Sequence, residues 1–186
     1  MHPNPEGLRH LHEMYAREAR RRRFAPSNAV DHYLAAINPG SASKRHRRWV
    51  RACEQLEAHV ANHGGMPTVR STRHLPDSRS LVEWARYQRR NVDSLSPYQR
   101  SRLNLIPGWS WSPLEEAWLT SMQEYEFFVR AHQHRPRRRS SDRKEASLAI
   151  WFRNQRRMVR AGRLDADRLQ MLTQLQRRVT ALISRH

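Results

Sequence analysis

Residues 81–90 read LVEWARYQRR and residues 148–157 read LAIWFRNQRR, so a leucine, a tryptophan, an arginine and a Gln-Arg-Arg triplet recur at an offset of 67. Flanking positions recur at an offset of 69: Trp49, Leu56, His63 and Pro67 return as Trp118, Tyr125, His132 and Pro136, and Leu95, Leu103 and Ile106 as Leu164, Leu172 and Leu175. A repeat that keeps its spacing while its loops change length indicates a structural unit. Both copies keep an apolar frame and a basic helix.

Helical spacing of apolar residues predicts three helices in each copy. In the first copy they cover 47–62, 79–91 and a short segment opened by Ser96 and Pro97. In the second they begin at Ser112, with Glu115 at a capping-box position, and then cover 142–160 and 165–183. No useful length alternates with period two. The sequence therefore predicts an all-α fold: two tandem three-helix bundles (46–111 and 112–186) preceded by a basic helical N-terminal arm and linker (1–45).

The charge predicts a polyanionic partner. The chain of 186 residues has 35 Lys and Arg against 17 Asp and Glu, a net charge of +18 and a pI of about 11.6. Such a surface attracts polyanions. All but Lys44 and Lys144 of these cations are arginines, which pair bidentately with phosphates and guanine edges.

Other classes of function are not favoured. Cys53 is the only cysteine, so neither a disulfide within the chain nor a four-cysteine zinc site is possible. Cys53, His59 and His63 could be metal ligands, but the second copy has Met122, Phe128 and His132 there, which indicates apolar packing. No phosphate-binding loop occurs and the acids are scattered. We expect no enzyme, metal or cofactor, and, since no apolar stretch could span a membrane, a cytoplasmic, nucleoid-associated protein.

The candidate DNA contacts are basic residues and the exposed part of the third helices. Neither copy has an acid from Ala85 to Asn91 or from Phe152 to Leu164, so phosphates would offset the self-repulsion of these helices. Gln88 and Gln155 lie beside tryptophans, which suggests a buried hydrogen bond rather than base reading. Tyr98 and Gln170 are further surface candidates. The predicted DNA-binding residues are Arg20, Arg21, Arg22, Arg23, Arg86, Arg89, Arg90, Gln99, Arg100, Arg102, Arg137, Arg138, Arg139, Arg153, Arg156, Arg157, Arg160 and Arg168.

These motifs resemble the helicase-associated domain, a three-helix repeat found in tandem in some bacterial helicases and in many actinobacterial and phage proteins. The first copy carries the opening Trp49, His63-Gly64, the Leu-x-x-Trp-x-x-x-Gln-Arg helix, Leu95-Ser96 and the closing Trp109 and Trp111. The second departs from it with Gln133, Asp165 and no closing tryptophans. The resemblance covers about 140 of the 186 residues. It implies a compact bundle similar to Myb-like or helix-turn-helix DNA binders.

The favoured function is binding of double-stranded DNA, with sequence specificity, in transcriptional regulation or in DNA replication and maintenance. Two alternatives remain open. Residues 1–37 could dock a protein partner, with the charge incidental. Structured RNA or single strands could stack on Tyr98, Trp109 and Trp111. Neither the target site nor the oligomeric state follows from the sequence.

Overall fold

The computed structural model describes residues 4–21, 28–69 and 76–184. The regular elements within these ranges are all helical, so the all-α prediction is confirmed. They are α1 (Pro5–Arg21), α2 (Asn28–Ile37), α3 (Lys44–His63), α4 (Pro76–Arg90), a 3-10 turn (Val92–Ser94), α5 (Pro97–Asn104), α6 (Pro113–His132), α7 (Arg143–Arg160) and α8 (Ala166–Ile183). The chain divides into two compact units, Met1–Trp111 (unit 1) and Ser112–His186 (unit 2).

Unit 1 includes the two N-terminal helices in its core. Helix α2 packs against α3 and α5, and α1 packs against α2 and α5. Leu11 and Tyr15 of α1 and Tyr33 of α2 are buried in the same cluster as Leu56 of α3 and Tyr98 of α5. The sequence predicts residues 1–45 as a separate basic arm and linker. Helix α1, however, also has an apolar stripe, and burial of that stripe packs α1 into the core of unit 1.

Unit 2 is a bundle of three helices. Helix α6 packs against both α7 and α8. Its core contains aromatic residues of α6, one leucine of α7 and an apolar stripe of α8. The buried members are Trp118, Tyr125, Phe128, Val129, Leu148, Leu172, Leu175 and Val179.

The same hydrogen bond joins the first two helices of the repeat in both units. Trp49 Nε1 donates to Gln88 Oε1 at 3.0 Å in unit 1, and Trp118 Nε1 donates to Gln155 Oε1 at 2.9 Å in unit 2. Each glutamine therefore satisfies a largely buried indole N–H, as polar groups in a core require. The bond of Gln88 is buried, as predicted, and that of Gln155 is partly buried. The same Trp–Gln contact therefore occurs in both units.

The helix caps agree with the sequence at α5 and differ at α6. At α5, Ser96 and Gln99 form a reciprocal capping box. The capping box predicted from Ser112 and Glu115 is not formed, because Glu115 instead pairs with Arg168 of α8.

Replacing Gln133 by glycine is expected to stabilise unit 2. Helices α3 and α6 both end with a left-handed residue, Gly64 at φ 72° and Gln133 at φ 57°. A side chain makes this conformation unfavourable by about 1–2 kcal/mol, partly offset here by the hydrogen bond from Gln133 Nε2 to the Arg130 carbonyl. We expect Gln133→Gly to raise the free energy of unfolding by about 0.5–1 kcal/mol and Gly64→Ala to lower it comparably. Thermal unfolding measures both, and a lower stability of Gln133→Gly would contradict this account.

Acidification is expected to destabilise unit 1 through His12. Its Nε2 lies 2.9 Å from the Tyr98 hydroxyl, which ties α1 to α5. Burial, together with the nearby Arg102, lowers the pKa of His12 below its ordinary value of 6.5. As the pH falls, His12 is therefore protonated in the unfolded chain at a higher pH than in the folded protein. Well above pH 6.5 His12 is neutral in both states and does not affect stability; below pH 6.5 its protonation favours the unfolded chain and destabilises the fold. Denaturant titrations from about pH 8 to 5 should show this loss, and His12→Gln should reduce it.

Candidate nucleic-acid interface

Helix α7 presents a stripe of four arginines, Arg153, Arg156, Arg157 and Arg160 (the α7 stripe). Their spacing of i, i+3, i+4 and i+7 places them on one face, opposite the buried Leu148. All four are exposed, and within the described residues none makes an ion pair or a side-chain hydrogen bond. Such cations keep their full capacity to bind an anion.

The corresponding arginines of α4 are engaged within the protein. Arg86 Nη1 donates to Glu83 Oε1 at 2.7 Å, one turn earlier on the same helix. Arg89 Nε donates to the Ser110 carbonyl at 2.7 Å, and its guanidinium lies 4.6 Å from the centre of the Trp109 ring. Arg90 is exposed. Because Glu83 is replaced by Ile150 in the second copy, the two basic helices are not equivalent.

Helix α5 does not present the side chains expected of a recognition helix. Tyr98, Gln99 and Arg102 are buried, at 0%, 5% and 2% exposure, which corrects their prediction as surface contacts. Helices α1 and α2 pack on α5 and cover the face that would otherwise be open. Arg100 is half-buried. Trp109 and Trp111 are also partly buried, with their rings 5.2 Å apart edge to face.

Arg102 is a structural cation. Its Nε and Nη2 donate to the two oxygens of Glu57 at 2.9 and 3.0 Å. Burial by itself lowers the pKa of Arg102, but the hydrogen bonds with Glu57 outweigh this and raise the pKa above its ordinary value, so the group stays charged. Tyr98 lies beside it, and burial raises the pKa of that phenol to about 12.

Helix α8, by contrast, leaves one face open beside α7. A groove of about 220 Å³ runs between the two helices, with apolar Phe152, Val159 and Leu169 along it. The polar groups that line it are Gln155, Arg156 and Arg160 of α7 and Thr173 and Gln176 of α8. None of the described residues that line this groove is acidic. The groove, its helices and the α7 stripe form one basic face, which we name the α7–α8 face.

Of the other candidates on α8, Gln170 is exposed, whereas Arg168 is engaged. The Arg168 guanidinium pairs with Glu115 of α6 and lies 5.3 Å from the centre of the Trp118 ring. This residue therefore stabilises the α6–α8 contact.

The loop before α7 adds further arginines to unit 2. Arg137, Arg138 and Arg139 are exposed, and the loop is held by Glu145, which accepts from the Arg137 backbone N–H at 2.8 Å. Burial raises the pKa of Tyr125, and this rise is opposed by the charges of Arg135 and Arg156, so both cations lie near that tyrosine. The loop thus adds exposed cations to unit 2 just before the start of α7.

The remaining predicted contacts are in the N-terminal run. Arg20 and Arg21 are exposed at the end of α1, and Arg22 and Arg23 lie outside the described residues. In the part of the chain that the structure describes, no group of three His, Cys, Asp or Glu side chains is arranged to hold a metal ion. No helix in that part is long and apolar enough to span a membrane.

The contacts among α3, α4 and α5 involve the Trp, Gln and capping residues that the sequence motif contains. A comparison with known families finds a match for this segment. Residues 46–112 match the helicase associated domain. The helicase associated domain thus corresponds to α3–α5 of unit 1 and is consistent with a role related to nucleic acid. No curated protein and no solved structure matches the chain. The α7 stripe lies beyond the matched segment, in unit 2.

Proposed function

We propose that this protein binds double-stranded DNA through the α7–α8 face of unit 2, with sequence preference, and acts in transcriptional regulation or in DNA replication and maintenance. We further propose that unit 2 is a second, diverged helicase-associated repeat, since it keeps the Trp118–Gln155 hydrogen bond of the first. The observation that carries the proposal is the α7 stripe, four neighbouring arginines without partners in the described chain.

The dimensions of the stripe suit a phosphate backbone. Seven residues of rise at about 1.5 Å each separate Arg153 from Arg160 by about 10 Å along the helix. One strand of B-DNA carries a phosphate about every 3.4 Å along its axis, so the stripe spans about three steps between phosphates, which corresponds to about four successive phosphates. Arginine can bind a phosphate bidentately, and Arg137, Arg138 and Arg139 supply further exposed cations in the loop before α7.

Base contacts in this arrangement come from α8. It is an 18-residue helix, long enough to lie in a major groove, and its exposed polar side chains include Gln170, Thr173, Gln174 and Arg177. Glutamine pairs with adenine edges and arginine with guanine edges. Helix α5 of unit 1 cannot take this role while α1 and α2 cover it.

The proposal is tested by selecting sheared genomic duplex fragments with the full chain at about 150 mM salt in the presence of heparin, where non-specific contacts are screened. Recovery of a common motif supports a sequence-specific binder, and uniform recovery of duplex supports an architectural one. Failure to retain any duplex in the presence of heparin would refute DNA binding as the function.

One observation favours docking of a protein partner as a second candidate function. Met14 of α1 is 48% exposed beside a groove of about 570 Å³ that also contains His10, Arg17 and Pro97. Deleting residues 1–37 does not test this candidate, because the deletion would open the core of unit 1. Met14→Asp leaves that core intact; if docking is the function, this variant loses the partner and keeps its affinity for DNA.

A further inference from the structure

A second groove in unit 1 combines aromatic rings with arginines. It has a volume of about 570 Å³ and lies between the start of α3, the end of α4 and the segment that leads into α5. Trp84 and Tyr87 of α4 line one wall, and Arg45 and Arg48 of α3 line the other. This groove is distinct from the α7–α8 face, which belongs to the other unit.

The aromatic wall is accessible from solvent. Tyr87 is 56% exposed, and Trp84 is half-buried with its ring 5.9 Å from that of Trp49. The hydrogen bond between Trp49 and Gln88 holds α3 and α4 together beneath it. Tyr87 therefore presents an aromatic face at a supported position, which is what stacking on an unpaired base requires.

The charge of the groove suits a phosphate strand. Arg45 and Arg48 are exposed one turn apart, and within the described residues neither has an ion-pair or side-chain hydrogen-bond partner. The residues that line the groove include no aspartate or glutamate. Phosphates on either side of a stacked base would thus meet arginines and no opposing carboxylate.

The second copy of the repeat lacks this combination. Arg45, Arg48 and Tyr87 correspond to Leu114, Ala117 and Asn154. In unit 2, moreover, the Arg168 side chain covers the Trp118 ring and pairs with Glu115. In unit 1, Gln99 stands in place of Arg168 and His46 in place of Glu115, so this ion pair is not possible there. The groove is therefore a property of unit 1 rather than of the repeat.

We infer that the α3–α4 groove of unit 1 binds single-stranded DNA, with one unpaired base stacked on Tyr87 and the flanking phosphates paired with Arg45 and Arg48. The protein then holds a duplex on one unit and an unpaired strand on the other. This inference stands apart from the proposed duplex function, since it uses other residues.

The test measures the affinity of the full chain for a fluorescent 15-residue oligothymidine and for a blunt duplex, by anisotropy at about 150 mM salt. Tyr87→Ala is expected to weaken binding of the oligothymidine about tenfold through lost stacking, with Tyr87→Phe within about twofold of the wild type. Arg45→Gln/Arg48→Gln is expected to weaken it about fifteenfold, from about fourfold per phosphate contact. The control is Arg9→Gln, which removes an exposed charge of α1, outside this groove.

The outcomes separate this inference from the duplex proposal. The inference is supported if Tyr87→Ala loses affinity for the oligothymidine and keeps the duplex affinity of the wild type. It is equally supported if Tyr87→Ala loses affinity for the oligothymidine and the wild type itself binds no duplex. Equal strand affinity of Tyr87→Ala and the wild type overturns it, as does the absence of strand binding by a protein that binds duplex. Thermal unfolding of each variant verifies that unit 1 is folded.

Discussion

Neutralising the α7 stripe with Arg153→Gln, Arg156→Gln, Arg157→Gln and Arg160→Gln is expected to lower the affinity for duplex DNA about 600-fold at about 0.15 M salt. Each phosphate contact releases about 0.9 of a counterion, which amounts to about fivefold in affinity per contact at this salt concentration. The four side chains are exposed and have no partners within the described chain, so their replacement leaves the core of unit 2 unchanged. Titration of a labelled duplex with each protein measures the effect.

A charge-matched pair of variants provides the control for this experiment. Arg156→Gln/Arg160→Gln removes two charges beside the α7–α8 groove, and Arg9→Gln/Arg51→Gln removes two exposed charges from unit 1. If binding depends only on net charge, both pairs weaken it equally. We expect about a 25-fold loss for the first pair and less than threefold for the second. Equal losses would contradict a localised interface.

Breaking the buried pair of Glu57 and Arg102 is expected to destabilise unit 1 by about 3–5 kcal/mol. The Arg102 side chain is 3% exposed, so Glu57→Gln removes its hydrogen-bonded counter-charge and leaves only the exposed carboxylate of Glu54, 3.8 Å away. Its Nη1 already lacks a hydrogen-bond partner within the described residues. Denaturant unfolding measures the loss, with Arg178→Gln as the comparison, because Arg178 pairs with Glu126 at the surface of unit 2. An exposed pair of that kind contributes about 0–1 kcal/mol.

The variant Arg102→Met separates a structural role of Arg102 from a role in DNA recognition. If Arg102 contacted DNA, as its place in the sequence suggested, Arg102→Met would weaken duplex binding at temperatures where unit 1 remains folded. The structure predicts a lower unfolding temperature with unchanged duplex affinity under such conditions. A loss of duplex affinity in folded Arg102→Met would contradict this prediction and indicate that α5 contacts DNA.

Local patterns in the sequence were sufficient to predict the helices and to indicate that Gln88 and Gln155 form hydrogen bonds within the protein. Ser96 with Pro97, His63 with Gly64 and Asp142 are signals that act within a few residues, and α5, α3 and α7 begin or end where these signals stand. Gln88 and Gln155 were predicted to form buried hydrogen bonds because each lies beside a tryptophan in the sequence; their partners, Trp49 and Trp118, lie in a different helix and were not predicted.

The accessibility of α5 could not be predicted, because it depends on contacts distant in sequence. Tyr98 is buried by α1 and α2, and it lies 86 residues after His12, to which it is hydrogen-bonded. Glu57 and Arg102 are 45 residues apart. Glu83 is different: it stands three residues before Arg86, so the ion pair that distinguishes α4 from α7 was visible in the sequence. Glu83 lies two residues before the acid-free interval from Ala85 to Asn91, so that interval alone does not reveal the ion pair.

Arginine footprinting of the full chain, with and without duplex DNA, tests most directly whether the α7–α8 face is the interface. A dicarbonyl reagent modifies accessible arginines, and mass spectrometry then gives the extent of modification at each one. Our account predicts that duplex DNA protects Arg153, Arg156, Arg157 and Arg160 and leaves Arg9 and Arg51 as reactive as in the free protein. Protection confined to unit 1, with the α7 stripe still reactive, would contradict it.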